Sequence, residues 1–254
     1  MKIGAQLYTI RDFCKVPHDI ESSLRRIKAM GFNLIQISSF GPCDVDLLAG
    51  WIKELEMEVC VTHNSWGRLT EPAELKKLID ENKKLGCSHI GLGMKPGIFP
   101  DSYHGYTGFI RKANEICKQV QDEGLSFGYH NHEIEFQKFG GVRAIDRMMA
   151  ECPDLYFILD LFWVQAGGAS PAAYVEKMKG RIKVLHLKDY RVIGQTRQFA
   201  EIGEGNLDWD DIIPRGEKNG IPYAVIEQDS DFLVDPFESL ALSRKFLMDK
   251  GYWK

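Results

Sequence analysis

The chain has 254 residues, of which 44% are hydrophobic, and 32 Lys and Arg stand against 36 Asp and Glu for a formal charge of −4. That length suits one large α/β domain of barrel size, and the apolar fraction is enough for a sizeable core. The slightly acidic balance argues against a dedicated nucleic-acid binder, whose affinity rests on neutralising phosphates. No apolar window is long enough to span a bilayer. Six cysteines (Cys14, Cys43, Cys60, Cys87, Cys117 and Cys152) are scattered without a Cys-x-x-Cys pair, so neither a zinc knuckle nor a redox motif is indicated. Met1-Lys2-Ile3-Gly4 runs straight into strand-like sequence with no charged and apolar leader, so a reduced, cytoplasmic protein is expected.

Residues 2–9 read as a strand. Residues 19–30 carry Ile20, Leu24 and Ile27 at helical spacing, and Gly31 stops that helix. A second strand over 33–37 precedes a helix over 45–55. A third strand, 58–63, ends in His63, and Pro72 stands near the start of a helix running to Leu85. A fourth strand over 88–92 leads through a polar loop to a helix over about 106–122. The fifth strand starts at Leu125 and delivers Tyr129-His130-Asn131-His132-Glu133-Ile134-Glu135. Residues 141–150 read as a helix. A sixth strand, 155–160, ends in Asp160, and a helix follows from Pro171 to Lys179. A seventh strand, 182–186, ends in His186, and a helix over 207–218 follows the loop Gly203-Glu204-Gly205. An eighth strand, 223–227, ends in Glu227, and Asp235-Pro236 opens a last helix to about Lys250.

Strand then helix, eight times, is the pattern of a single (β/α)8 TIM barrel spanning residues 1–254. A doubly wound open sheet competes less well, because no Gly-x-Gly-x-x-Gly follows the first strand. In a barrel, every strand delivers its carboxyl end to one mouth. His63, the His130–Glu135 stretch, Asp160, His186 and Glu227 then share a cup. Each has an ordinary alternative: Asp160 as a helix cap, His186 as a core histidine, Glu227 in an ion pair. Their coincidence favours function, since burying so much charge without a metal or partners is costly. A mixed nitrogen and oxygen set suits one divalent ion, Mn, Mg, Co or Zn.

Several motifs together resemble the sugar phosphate isomerase/epimerase family of xylose isomerase-like TIM barrels, which also includes inosose dehydratases and apurinic-site endonucleases. They are Gly4-Ala5-Gln6-Leu7-Tyr8-Thr9-Ile10-Arg11-Asp12, Tyr129-His130-Asn131-His132 with Glu135-Phe136, Leu159-Asp160 with Trp163, His186-Leu187-Lys188-Asp189, Gly203-Glu204-Gly205 with Asp208-Trp209, and Val225-Ile226-Glu227-Gln228-Asp229. The resemblance implies a metal held at the ends of strands five to eight, with Asp160, His186 and Glu227 in the last three places. His130 matches the first place, where many members have Glu. His132 or Glu135 are alternative ligands there, and the substitution weakens a simple epimerase reading.

The expected chemistry is metal-dependent isomerisation or epimerisation of a sugar or sugar phosphate through an enediolate next to a carbonyl. Dehydration or elimination on a keto-sugar or inosose is the alternative. Glu227 is one candidate base, His132 or Glu135 the opposing acid/base, and Lys188 a group that holds a hydroxyl or charge. Gln6, Tyr8, Gln36, His63, Trp66 and Trp163 are the candidate sugar-pocket residues, and the Gly203–Gly205 loop is a candidate phosphate cradle. The expected partners are a small carbohydrate and, in a homo-oligomer, further copies of the chain; no nucleic acid or membrane is expected. An endonuclease would need more metal ligands and a basic face. A non-catalytic sugar-binding barrel would show no metal.

Overall fold

The computed structural model describes residues 1–253. Its strands are β1 (Lys2–Gln6), β2 (Leu34–Ile37), β3 (Glu58–Asn64), β4 (His89–Leu92), β5 (Ser126–His130), β6 (Lys138–Phe139), β7 (Val142–Arg143), β8 (Tyr156–Asp160), β9 (Ile182–Leu187), β10 (Asp189–Ile193), β11 (Thr196–Ala200) and β12 (Tyr223–Ile226). Eight of them close into a parallel barrel in the order β1-β12-β9-β8-β5-β4-β3-β2. The helices are α1 (Pro17–Ala29), α2 (Val45–Glu54), α3 (Trp66–Thr70), α4 (Pro72–Lys84), α5 (Tyr103–Gln121), α6 (Ala144–Glu151), α7 (Leu161–Ala166), α8 (Pro171–Lys177), α9 (Trp209–Lys218) and α10 (Pro236–Asp249). The chain is therefore a (β/α)8 barrel. Among the described residues, no helix is long and apolar enough to cross a membrane.

Two periodicities build this architecture. Along α1, Ile20, Leu24 and Ile27 fall on one face and are fully buried, each contributing about 2 kcal/mol by leaving water. Along the barrel strands, alternate residues face the axis. Leu34, Val61, Tyr156, Ile158, Val184 and Val225 pack into one cluster. Two residues beyond Leu34, Val61, Ile158, Val184 and Val225 stand Gln36, His63, Asp160, His186 and Glu227, all on the same face and nearer the carboxyl end. The hydrophobic plug and the polar layer are thus consecutive floors of one barrel. At Gly128 on β5 the plug needs an absent side chain, because a Cβ there would stand 2.1 Å from the Tyr156 ring.

The chain departs from the sequence expectations in its connections. The first strand stops at Gln6, and Leu7–Phe13 turns into a 3-10 helix, with the Gln6 side chain accepting from the Tyr8 amide at 3.2 Å. The helix expected over 141–150 begins only at Ala144. Gly140 and Gly141 both have positive φ, 62° and 87°, which favours the tight hairpin that joins β6 to β7. The antiparallel hairpin of β10 and β11, the short helix α3 and the short helix α7 were not expected at all. The helix expected over 207–218 starts at Trp209, where the Asp208 carboxylate caps the Asp211 amide at 3.1 Å.

Candidate metal centre

Register sets the centre. Asp160 on β8 pairs directly with His186 on β9, and His186 pairs in turn with Val225 on β12. Glu227 follows the end of β12, held by its amide to the Leu187 carbonyl at 3.0 Å. His130 closes the group from β5. One ligand atom from each of His130, Asp160, His186 and Glu227 lies within 4.8 Å of the other three, and all four side chains are buried.

Hydrogen bonds decide which atoms face inward. His130 Nδ1 stands 3.0 Å from the Gly93 carbonyl, which can only accept, so Nδ1 carries the proton. Its Nε2 lone pair faces Asp160 Oδ2 at 3.3 Å. His186 Nε2 donates to Gln36 Oε1 at 2.9 Å, which leaves the Nδ1 lone pair facing Glu227 Oε2 at 2.6 Å. The other end of the same amide, Gln36 Nε2, is 2.9 Å from His63 Nε2. Four acceptors therefore converge, and a divalent cation satisfies such a set. Outer hydrogen bonds of this kind fix ring orientation and tautomer at metal sites.

Electrostatics agree. Burial first, with His186 and Lys188 nearby, pushes His130 down to about 3. Burial, then the neighbouring His130, lowers His132 to about 3. His63 and His186 are held well below the usual imidazole range, chiefly by burial. These rings are neutral and have lone pairs to offer. Burial pushes Asp160 well above the usual carboxylate range; Lys188 opposes this and Glu227 adds to it. Burial thus disfavours the ionised Asp160 carboxylate, and a bound cation would supply the positive charge that favours it. The His130, Asp160, His186 and Glu227 set could hold one divalent metal.

Lys188 is 2% exposed. Its Nζ is 2.5 Å from Asp229 Oδ2 and 3.8 Å from both Asp160 Oδ2 and Glu227 Oε2. Burial alone would lower it, but Glu227, Asp160 and Asp229 outweigh that and hold it above the usual lysine range. The ammonium lies over the rings of Trp163 and Phe199, at 5.2 and 5.0 Å.

A cavity of about 1020 Å³ opens above the centre, lined by Tyr8, His63, Trp66, His130, His132, Lys188, Glu227 and Asp229 among others. Three of the expected sugar-pocket residues are thus on its wall: Tyr8, His63 and Trp66. Gln6, Gln36 and Trp163 are not. The Gln6 and Gln36 amides are spent on Tyr8 and on the two histidines, and Trp163 lies beneath Lys188 and beside His132, ring centroids 5.2 Å apart. Glu135 is also off the wall. Its two oxygens accept from the Tyr129 hydroxyl at 2.7 Å and the His132 amide at 2.6 Å, and burial raises it to about 7. Asp160 combines two roles: Oδ1 caps α7 through the Trp163 amide at 3.0 Å while Oδ2 faces the cluster. Asp229 was not singled out as a site residue from sequence; its two-residue offset from Glu227 along the strand end was the available signal.

Two inosose dehydratases are similar to this chain. The Clostridium beijerinckii protein is 25% identical over 159 residues, covering 54% of this chain and 52% of that protein. The match therefore spans about half that relative's length. The Clostridium botulinum protein is 24% identical over 91% of this chain and 89% of its own length. Among solved structures, a sugar phosphate isomerase/epimerase from Parabacteroides distasonis superposes with a TM-score of 0.81 at 22% identity, covering 100% of this chain and 99% of that one. L-ribulose 3-epimerase gives 0.74 at 14% identity, covering 99% and 95%. The IolI protein with a bound zinc atom gives 0.76 at 14% identity, covering 100% of both chains. These structural likenesses establish the fold. The family model described as xylose isomerase-like TIM barrel matches residues 24–231, and the chain belongs to that family.

Proposed function

We propose that this protein is a metal-dependent dehydratase of a polyhydroxylated ketone. The proton leaves the carbon next to the carbonyl, its electron pair forms a C=C bond, and the hydroxyl on the following carbon departs as water. The observation that carries this reading is the acid/base inventory around the cavity. His130 occupies the ligand place where the resemblance leads one to expect a carboxylate, Glu135 is turned away, and Asp229 is tied to Lys188. His132 remains, on the wall, with its Nδ1 buried and without a partner. One group that takes the proton and returns it to the departing hydroxyl suffices for elimination on one face. Epimerisation needs two such groups on opposite faces.

His132 is the proton carrier in this scheme, and Glu135 is a positioning residue that holds the His132 backbone. Lys188, kept cationic by its three carboxylates, sets a fixed positive charge beside the oxygen where negative charge develops. A divalent metal, when bound by His130, Asp160, His186 and Glu227, supplies Lewis-acid polarisation of the carbonyl. The two curated relatives carry dehydratase names, which supports the choice. Epimerisation is the second reading: Glu227 and His132 reach the cavity from β12 and from the end of β5, and so could serve two faces.

The test is incubation of the Mn-loaded protein with neutral keto-sugars and inososes in deuterium oxide, followed by NMR and mass spectrometry. Loss of one water, abolished in His132→Asn, is expected. Deuterium incorporation with inversion and no water loss would replace dehydration by epimerisation. Neither exchange nor water loss would remove both readings.

A further inference from the structure

Whether a substrate of this cavity carries a phosphate is a question of charge. Among the described residues, four cationic side chains line the wall: Arg68, Lys77, Lys95 and Lys188. Each already faces a carboxylate. Arg68 is 2.5 Å from Glu81 and 3.9 Å from Glu74. Lys77, at the outer edge, is 4.0 Å from the same Glu81. Lys95, nearly buried, is 2.9 Å from Asp101 and also donates to the Phe99 carbonyl. Lys188 is held by Asp229. A phosphate approaching Arg68 or Lys188 would have to displace a carboxylate and leave it unpaired at a partly desolvated wall.

The backbone amides of the loop expected to cradle phosphate offer no substitute. The loop after β11 has the glycine-flanked form of an anion cradle, but its cradle is filled by the chain itself. The Asp189 carboxylate accepts from the amides of Gly203 at 3.2 Å and Leu207 at 3.1 Å, from its neighbour Tyr190 at 2.8 Å, and from Trp209 Nε1 at 2.7 Å. Two residues that line the cavity carry unpartnered polar atoms of another kind. Asp229 Oδ1 and His132 Nδ1 are buried and unpartnered. A carboxylate oxygen accepts from a hydroxyl and repels a phosphate. An imidazole nitrogen can pair with a hydroxyl in either tautomer.

We infer that the cavity selects neutral polyhydroxylated carbonyl compounds over their phosphate esters, with Asp229 as a hydroxyl acceptor and with the Arg68–Glu81 and Lys188–Asp229 pairs as the phosphate-rejecting elements. This rests on the proposed function only in placing the substrate in this cavity.

The experiment uses polyols without a carbonyl, so that binding is read apart from catalysis. The Mn-loaded protein is titrated calorimetrically with sorbitol and with myo-inositol, each beside its own monophosphate. At least one neutral polyol should bind about tenfold more tightly than its ester. Glu81→Gln, which removes the nearer of the two carboxylates facing Arg68, should strengthen ester binding by about tenfold relative to the neutral polyol. Asp101→Asn, which releases Lys95, repeats the trial if Glu81→Gln does not fold. Esters binding as tightly as the neutral polyols, or no polyol binding at all, would overturn the inference. Failure of the dehydration reading would instead show as absent water loss despite selective binding of the neutral polyol.

Discussion

The two ends of this barrel bury similar polar groups and treat them differently. At the amino end, His89 Nδ1 is 2.7 Å from Ser126 Oγ, the Tyr156 hydroxyl donates to the Ile90 carbonyl at 3.1 Å, and the Tyr223 hydroxyl donates to Glu58 at 2.7 Å. Glu58 is also paired with Lys2 at 2.5 Å. Donors there meet acceptors, and none of those side-chain atoms is left over. At the carboxyl end, two imidazole lone pairs face two carboxylates, and His132 Nδ1 and Asp229 Oδ1 lack partners. A satisfied end stabilises a barrel. An end with surplus acceptors is costly alone and is settled by a ligand.

The contrast breaks first at Asp160. Asp160→Ala should abolish stoichiometric metal binding, lowering affinity by more than about a hundredfold, as elemental analysis and metal titration would read. The same change removes the cap of α7, which costs about 1 kcal/mol in the metal-free protein. Asp160→Asn keeps a capping oxygen and separates the two effects. If Asp160→Asn binds metal normally, the carboxylate is a cap and not a ligand.

Gln36→Leu comes next. Its amide touches no substrate wall and instead holds the His186 tautomer, so metal affinity should fall about 10–100-fold while the barrel stays folded. Unchanged affinity would show that His186 presents Nδ1 without help.

Gln36 also marks the limit of what the sequence made legible. The eight strands were readable because continuous apolar runs signal a buried parallel sheet. Asp160, His186 and Glu227 were readable because each ends a strand, and a barrel delivers the carboxyl ends of its strands to one mouth. Gln36 also stands near a strand end, so it resembled a sugar-pocket residue; its use depends on a histidine 150 residues away, which no local pattern encodes. The surroundings of Glu135 are set by the fold in a similar way. Its spacing beside two histidines suggested a ligand, but the chain turns into a 3-10 helix at Glu133–Phe136 and sends the carboxylate to Tyr129. The β10–β11 hairpin was missed although Gly194, with φ of 61°, marks its turn.

At the satisfied end the expected effects are smaller and independent of metal. Burial, then the charge of Lys183, lowers His89 to about 4, and the rings of Tyr156 and Tyr223 pack against it, with Cys87 close by through its thiol to the His89 carbonyl. The unfolded chain therefore binds the proton first. Stability from this group is complete above about pH 6.5 and declines as pH falls towards 4, with about 2 kcal/mol lost by about pH 5. Denaturant unfolding of the metal-free protein should show this slope added to that of the mouth histidines, and His89→Gln should remove only the His89 share. An equal slope in the variant would assign the decline to the mouth histidines.

The smallest change tests the comparison most cleanly. Tyr156→Phe keeps the ring that fills the space over Gly128 and removes only the hydroxyl that donates to Ile90. The plug stays packed, so no cavity forms, and the loss is one buried hydrogen bond, about 1 kcal/mol. Tyr156 is two inward positions below Asp160 on β8. If the barrel's two ends are independent, metal affinity is unchanged in Tyr156→Phe to within error. If affinity falls with stability, strain passes along β8 from the plug to the ligands, and the satisfied end takes part in holding the metal.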